Sequence, residues 1–76
     1  MKELLEILAR DLVDHPEEVR VEESQGDRGV ILELKVHPDD MGKVIGKQGK
    51  IAKAMRTLVK ASAAKQGVHV VVEIMR

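Results

Sequence analysis

The sequence predicts an α+β domain with elements in the order α-β-β-α-α-β, three helices lying on one face of a three-stranded mixed sheet. Three observations predict it. Apolar residues near the start recur at helical spacing. Two stretches in the first half alternate apolar and polar residues on either side of a glycine-bearing turn. After two further helical segments, a Val-rich run closes the chain.

Leu4, Leu5, Leu8 and Leu12, with Ile7, define an amphipathic helix over residues 2–13. Asp14-His15-Pro16 ends it, because proline disfavours helical backbone in the residue before it. Val19 and Val21 alternate with charged residues and place a half-buried strand at about 18–25. Gln25-Gly26-Asp27-Arg28-Gly29 is a turn. Val30, Leu32, Leu34 and Val36 then alternate, with Glu33 and Lys35 between them, so the two strands form a hairpin. Pro38-Asp39-Asp40 starts a short helix, with carboxylates near its positive end, and Ile45-Gly46 stops it. The next helix begins after Gly49 and runs to about Lys65, where Gln66-Gly67 supplies a glycine stop. Val68 to Met75 is a nearly unbroken apolar run, which predicts a well-buried strand. If that strand lies parallel to the second, the two helices between them form a right-handed crossover.

At 76 residues the chain is read as one domain, 1–76. A domain this small buries only about 60% of the surface its unfolded chain exposes, which makes a partner surface plausible. No leader pattern and no membrane-spanning apolar run is visible, so a cytoplasmic location is expected. The absence of cysteine excludes disulfides and thiolate metal sites.

Net charge is zero, but it is unevenly distributed. Residues 1–40 carry five basic and twelve acidic residues, a net of −7. Residues 41–72 carry Lys43, Lys47, Lys50, Lys53, Arg56, Lys60 and Lys65 and no acid, a net of +7. Such asymmetry points to a polyanion site, although solvated helix faces also explain it. The chain has no Phe, Tyr or Trp, which excludes modules that stack bases on those residues.

The chemistry centres on Gly46-Lys47-Gln48-Gly49, a G-x-x-G corner between two helices. Gly46 sits where a helix end often needs positive φ. Gly49 opens the next helix and has no Cβ to obstruct a ligand. The start of that helix offers backbone N–H groups and positive dipole, a ready anion site. Lys47 and Lys50 add charge there. An ordinary helix corner has the same two glycines, but the flanking Val44-Ile45 and Ile51, the strand–helix–helix–strand setting and the acid-free surroundings single this one out. A phosphate-binding loop of the G-x-x-x-x-G-K-[ST] type is excluded by spacing.

Val44-Ile45-Gly46-Lys47-Gln48-Gly49-Lys50-Ile51 resembles the I-G-x-x-G signature of KH domains, and the element order matches the type II KH arrangement. The length and the run Gly42 to Lys60 are similar to KhpA, a family of small single-KH bacterial proteins, and the resemblance covers essentially the whole chain. It implies that Gly46, Lys47, Gln48 and Gly49 grip a single-stranded RNA backbone, with Val44, Ile45, Lys50 and Lys53 alongside. A groove between the helices and the middle strand would hold about four unpaired nucleotides. It implies an RNA chaperone or post-transcriptional regulator of low sequence specificity, connected with cell shape or division. Gln48 stands where such loops often carry glycine.

At about 100° per residue, the last helix divides into three stripes. Ile51, Met55, Leu58, Val59 and Ser62 are expected to face the sheet, with Lys53, Arg56 and Lys60 opposite them. Ala54, Thr57, Ala61 and Ala64 form a small-residue stripe. Either alanine's helix preference or a pairing face explains that stripe. The resemblance favours pairing, with a second copy or with a larger KH protein of the KhpB (Jag) type. A dimerisation module is therefore the alternative function. His15, His37 and His69 lack companions at metal-ligand spacing, and neither serine has an activating neighbour. No metal, cofactor or enzymatic activity is expected.

Overall fold

A computed structural model of the protein describes residues 1–75. Helix α1 spans Lys2–Leu12 and buries Leu5 and Ala9. It ends as Val13 turns to extended backbone ahead of the proline. Pro16–Glu18 then form a single 3-10 turn, a segment whose end the alternation of Val19 and Val21 had assigned to a strand. Val19 is buried all the same, but its N–H closes that turn on the carbonyl of Pro16 at 3.2 Å.

Strands β1 (Arg20–Gly26) and β2 (Gly29–Lys35) form the hairpin, with Gly26 opposite Gly29 across Asp27-Arg28. A 3-10 turn at Pro38–Asp40 leads into α2 (Met41–Ile45), and α3 follows at Lys50–Lys65. The α3 carbonyls of Ala63 and Ala64 are satisfied by the N–H groups of Val68 and Gly67, closing the helix before β3 (Val70–Met75). The sheet order is β1-β2-β3, antiparallel then parallel. This is the α+β, mixed-sheet architecture predicted from the sequence.

The register aligns Val30, Leu32 and Leu34 with Val70, Val72 and Ile74 on the inner face of the sheet. The helices cover that face, α1 against β1, α3 against β3 and α2 against α3. Strand β3 is buried on this face only, since Val71 on the other face is 38% exposed. The apolar run suggests a well-buried strand, but among the described residues no layer covers the second face. That outer face instead aligns Glu22, Glu33 and Glu73 across the three strands.

Helix α3 is also rotated from the expected orientation. Its buried residues are Ala52, Met55, Val59 and Ala63, while Leu58 is 52% exposed. Alanine faces the core because its small side chain lets the helix approach the sheet closely. The rotation places Ala54, Thr57, Ala61 and Ala64, not the basic residues, opposite the buried face. The basic stripe lies along the flank of the helix.

Candidate nucleic-acid interface

The second strand delivers the chain to the root of α2, where a polar clamp holds it. Asp40 is fully buried, and its carboxylate accepts from the backbone N–H of Asp14 (3.2 Å) and of His15 (3.0 Å). The His15 ring Nδ1 lies 3.0 Å from the same carboxylate. The His15 and His37 rings stack with centroids 4.1 Å apart. Burial pushes the Asp40 carboxyl up, but the hydrogen bonds from the His15 ring and the two N–H groups outweigh it and leave it at about 2. The hydrogen bond to Asp40 raises the His15 imidazole above its usual 6.5. Asp40 stands at the start of the helical segment, as expected from the sequence, and in addition ties the segment after α1 to α2. Lys43 pairs with Asp14 and lies 3.6 Å from Asp40, so its charge is neutralised within the clamp.

Val44 anchors α2 in the core and is fully buried, while Ile45 is partly buried. Val44 thus supports the loop from beneath and does not present its side chain on the surface. The N–H of Gly46 closes α2 on the carbonyl of Gly42 at 2.8 Å. Gly46 then adopts φ 76°, ψ 174°, a region open to glycine alone, and a Cβ there would meet Ile51 at 2.5 Å. Gln48 (φ 58°) and Gly49 (φ 74°) are both left-handed and turn the chain into α3. A Cβ on Gly49 would meet nothing within 4 Å. The two glycines therefore differ in role: Gly46 permits packing, and Gly49 leaves open space in front of the α3 N-terminus.

Lys47, Gln48, Lys50 and Lys53 are exposed around that opening. Among the described residues, none of these three lysines forms an ion pair or a side-chain hydrogen bond, so they are available to a polyanion. Farther along α3, Lys60 is equally exposed, and Arg56 donates from Nε to the carbonyl of Val72 at 3.2 Å. The free lysines at the helix corner lie away from the row of glutamates on the outer sheet face, while Asp14 and Asp40 take up Lys43. Helical spacing gave the lysines. The Asp40 clamp and the Arg56 contact join residues 25 and 16 positions apart, and no local pattern signals them. Among the described residues, no group of three or more His, Cys, Asp or Glu side chains could hold a metal ion.

The family model for the KhpA/KhpB KH domain matches residues 2–74. The RNA-binding protein KhpA of Clostridium perfringens is 65% identical over 75 residues, spanning 99% of this chain and 100% of that protein. KhpA of Clostridium acetobutylicum is 63% identical over the same span, and KhpA of Aquifex aeolicus is 48% identical. Among solved structures, Aquifex aeolicus Era bound to GDP and aluminium fluoride is similar in fold, with a TM-score of 0.65 and 21% identity. The likeness covers 96% of this chain but only 28% of Era. A complex of Era with MgGDPNP and nucleotides 1506–1542 of 16S ribosomal RNA gives the same TM-score.

Proposed function

The chain belongs to the KhpA/KhpB KH-domain family, and from that premise we propose that it binds single-stranded RNA as a chaperone or post-transcriptional regulator of low sequence specificity. The observation that carries this reading is the open space before Gly49, at the start of α3, ringed by the unpaired Lys47, Lys50 and Lys53. An RNA backbone laid across Gly46-Lys47-Gln48-Gly49 meets backbone N–H groups, helix dipole and mobile charge together, with no side chain at Gly49 to hold it off. Ile45 adds a partly buried apolar edge. The names of the relatives, RNA-binding protein KhpA, support the same reading. The role is binding and not catalysis, and the setting is the cytoplasm.

The test is the double variant Lys47→Asp, Gln48→Asp. Aspartate tolerates the left-handed backbone at position 48 better than most residues, so the fold is retained. Circular dichroism is expected to be unchanged and RNA binding abolished. Wild-type affinity should fall with salt at a log–log slope of roughly −2 to −3, as for three or four phosphate contacts on a single strand. Unchanged affinity in the variant rejects the reading.

A second reading is pairing through the outer face of α3, with a second copy or with a KhpB (Jag)-type KH protein. Its specific support is that Ala54, Thr57, Ala61 and Ala64 are all exposed, with the half-exposed Leu58 beside them. Pairing would join two RNA surfaces on one particle and raise avidity. Sedimentation of Ala61→Phe tests it: loss of a dimer formed by the wild type supports pairing, and a monomeric wild type that also fails to bind a KhpB-type protein rejects it.

A further inference from the structure

Phosphate contacts hold RNA without reading it, and we infer that Arg56 is the residue on this surface that reads a base, taking the O6/N7 edge of a guanine. The inference rests on the RNA-binding reading above and adds the recognition it lacks.

Strand β3 is an edge strand. In a parallel pair, every second residue turns its N–H and C=O toward the partner. The N–H of Val30 bonds the carbonyl of His69, which assigns the odd-numbered residues of this stretch to β2. The backbone groups of Val70, Val72 and Ile74 therefore face the open edge, beside the basic flank of α3. Arg56 reaches across and donates its Nε to the Val72 carbonyl.

That tether restrains the guanidinium and occupies only one of its five N–H donors. Among the described residues, neither terminal nitrogen of Arg56 has another hydrogen-bond partner or a carboxylate partner. The result is a planar fork on an exposed side chain, with part of its ordering cost met in the free protein. Lys53 and Lys60, three residues before and four after, lie on the same flank as mobile point charges. They suit phosphates on either side of one base.

Guanine offers two adjacent acceptors, O6 and N7, to such a fork. Adenine offers one acceptor beside a donor, and the pyrimidines lack the pair. The chain has no Phe, Tyr or Trp on which to stack a base, so a planar hydrogen-bonding group carries the recognition. One preferred base within a short site leaves the overall specificity low.

The experiment measures full-length wild type and Arg56→Lys by fluorescence anisotropy against short single-stranded RNAs. One is oligouridine, and the others carry a single central guanine or adenine. Wild type is expected to bind the guanine-bearing RNA about tenfold more tightly than the other two. Arg56→Lys should bind all three alike, with the same salt slope, because it keeps the charge and loses the fork. In the wild type, the Arg56 Nε–H resonance should shift with the guanine-bearing RNA and not with oligouridine, a readout that does not depend on how the variant folds. Equal wild-type affinity for the three RNAs, or guanine preference retained in Arg56→Lys, overturns the inference and leaves RNA binding standing. Failure of the wild type to bind any of them overturns the RNA-binding reading and this inference with it.

Discussion

The imidazole of His15 and the carboxylate of Asp40, 3.0 Å apart, join the end of α1 to the root of α2. The pair makes stability depend on pH from both sides. Asp40 is held at about 2, below its ordinary 3.8, so its contribution is complete above about pH 4 and is lost as pH falls toward 2. His15 is raised above 6.5, so its contribution is complete below 6.5 and is lost as pH rises through its elevated value. The facing groups are the stacked His37 ring, with Glu18 and Asp39 beside it, and Lys43. The melting temperature should therefore peak between about pH 4 and 6.5. Asp40→Asn should flatten the profile on both sides, and His15→Ala should flatten the alkaline side and weaken the acid-side fall, because the His15 ring is one of the groups that lower Asp40. Thermal melts across pH 2–9 measure this.

The contrast between the two loop glycines gives a second prediction. Gly46→Ala must force a residue with a Cβ into φ 76°, ψ 174° and drive it against Ile51. Strain and overpacking together should cost about 2–4 kcal/mol. Gly49→Ala meets no neighbour and bears only the left-handed penalty, about 1 kcal/mol. Urea denaturation ranks the two, and equal losses would contradict the different roles assigned to them.

Both glycines were legible in the sequence as a helix stop and a helix start, and so were the hairpin, the order of elements and the free lysines. All of these follow from local spacing. What local spacing missed is long-range or depends on packing. Asp40 reads only as a helix-start carboxylate, and its bonds to His15 and Asp14 arise once the chain is folded. Arg56 reads as one of three solvated cations until β3 brings the Val72 carbonyl beside it. The row Glu22, Glu33, Glu73 exists only once the strand register is fixed.

Gln48 is the one residue other than glycine with positive φ among those described. Its left-handed backbone costs about 1 kcal/mol, and glycine would remove that strain while returning part of the gain as unfolded-state entropy. Gln48→Gly should therefore stabilise the protein by about 0.5 kcal/mol, a rise of roughly 2–4 °C in melting temperature. Calorimetry at the pH of maximum stability measures it, and a destabilised variant would mean that the Gln48 side chain makes a compensating contact.

Leu58 and Val59 are neighbours on α3, and hydropathy alone assigns both to the core. The helix turns about 100° between them, and with Ala52 and Ala63 facing the sheet, Val59 is sealed while Leu58 lies 52% exposed. Val59→Ala removes buried methyl groups in a thin core and should cost about 2–3 kcal/mol, transfer and cavity terms together. Leu58→Ala gives up partly wetted surface and gains helix propensity, so its cost should stay below about 1 kcal/mol. Were the helix oriented with Ile51, Met55, Leu58, Val59 and Ser62 all facing the sheet, as periodicity suggests, Leu58→Ala would cost at least as much as Val59→Ala. Chemical denaturation of the two variants, at a protein concentration low enough to exclude pairing through α3, decides between the orientations.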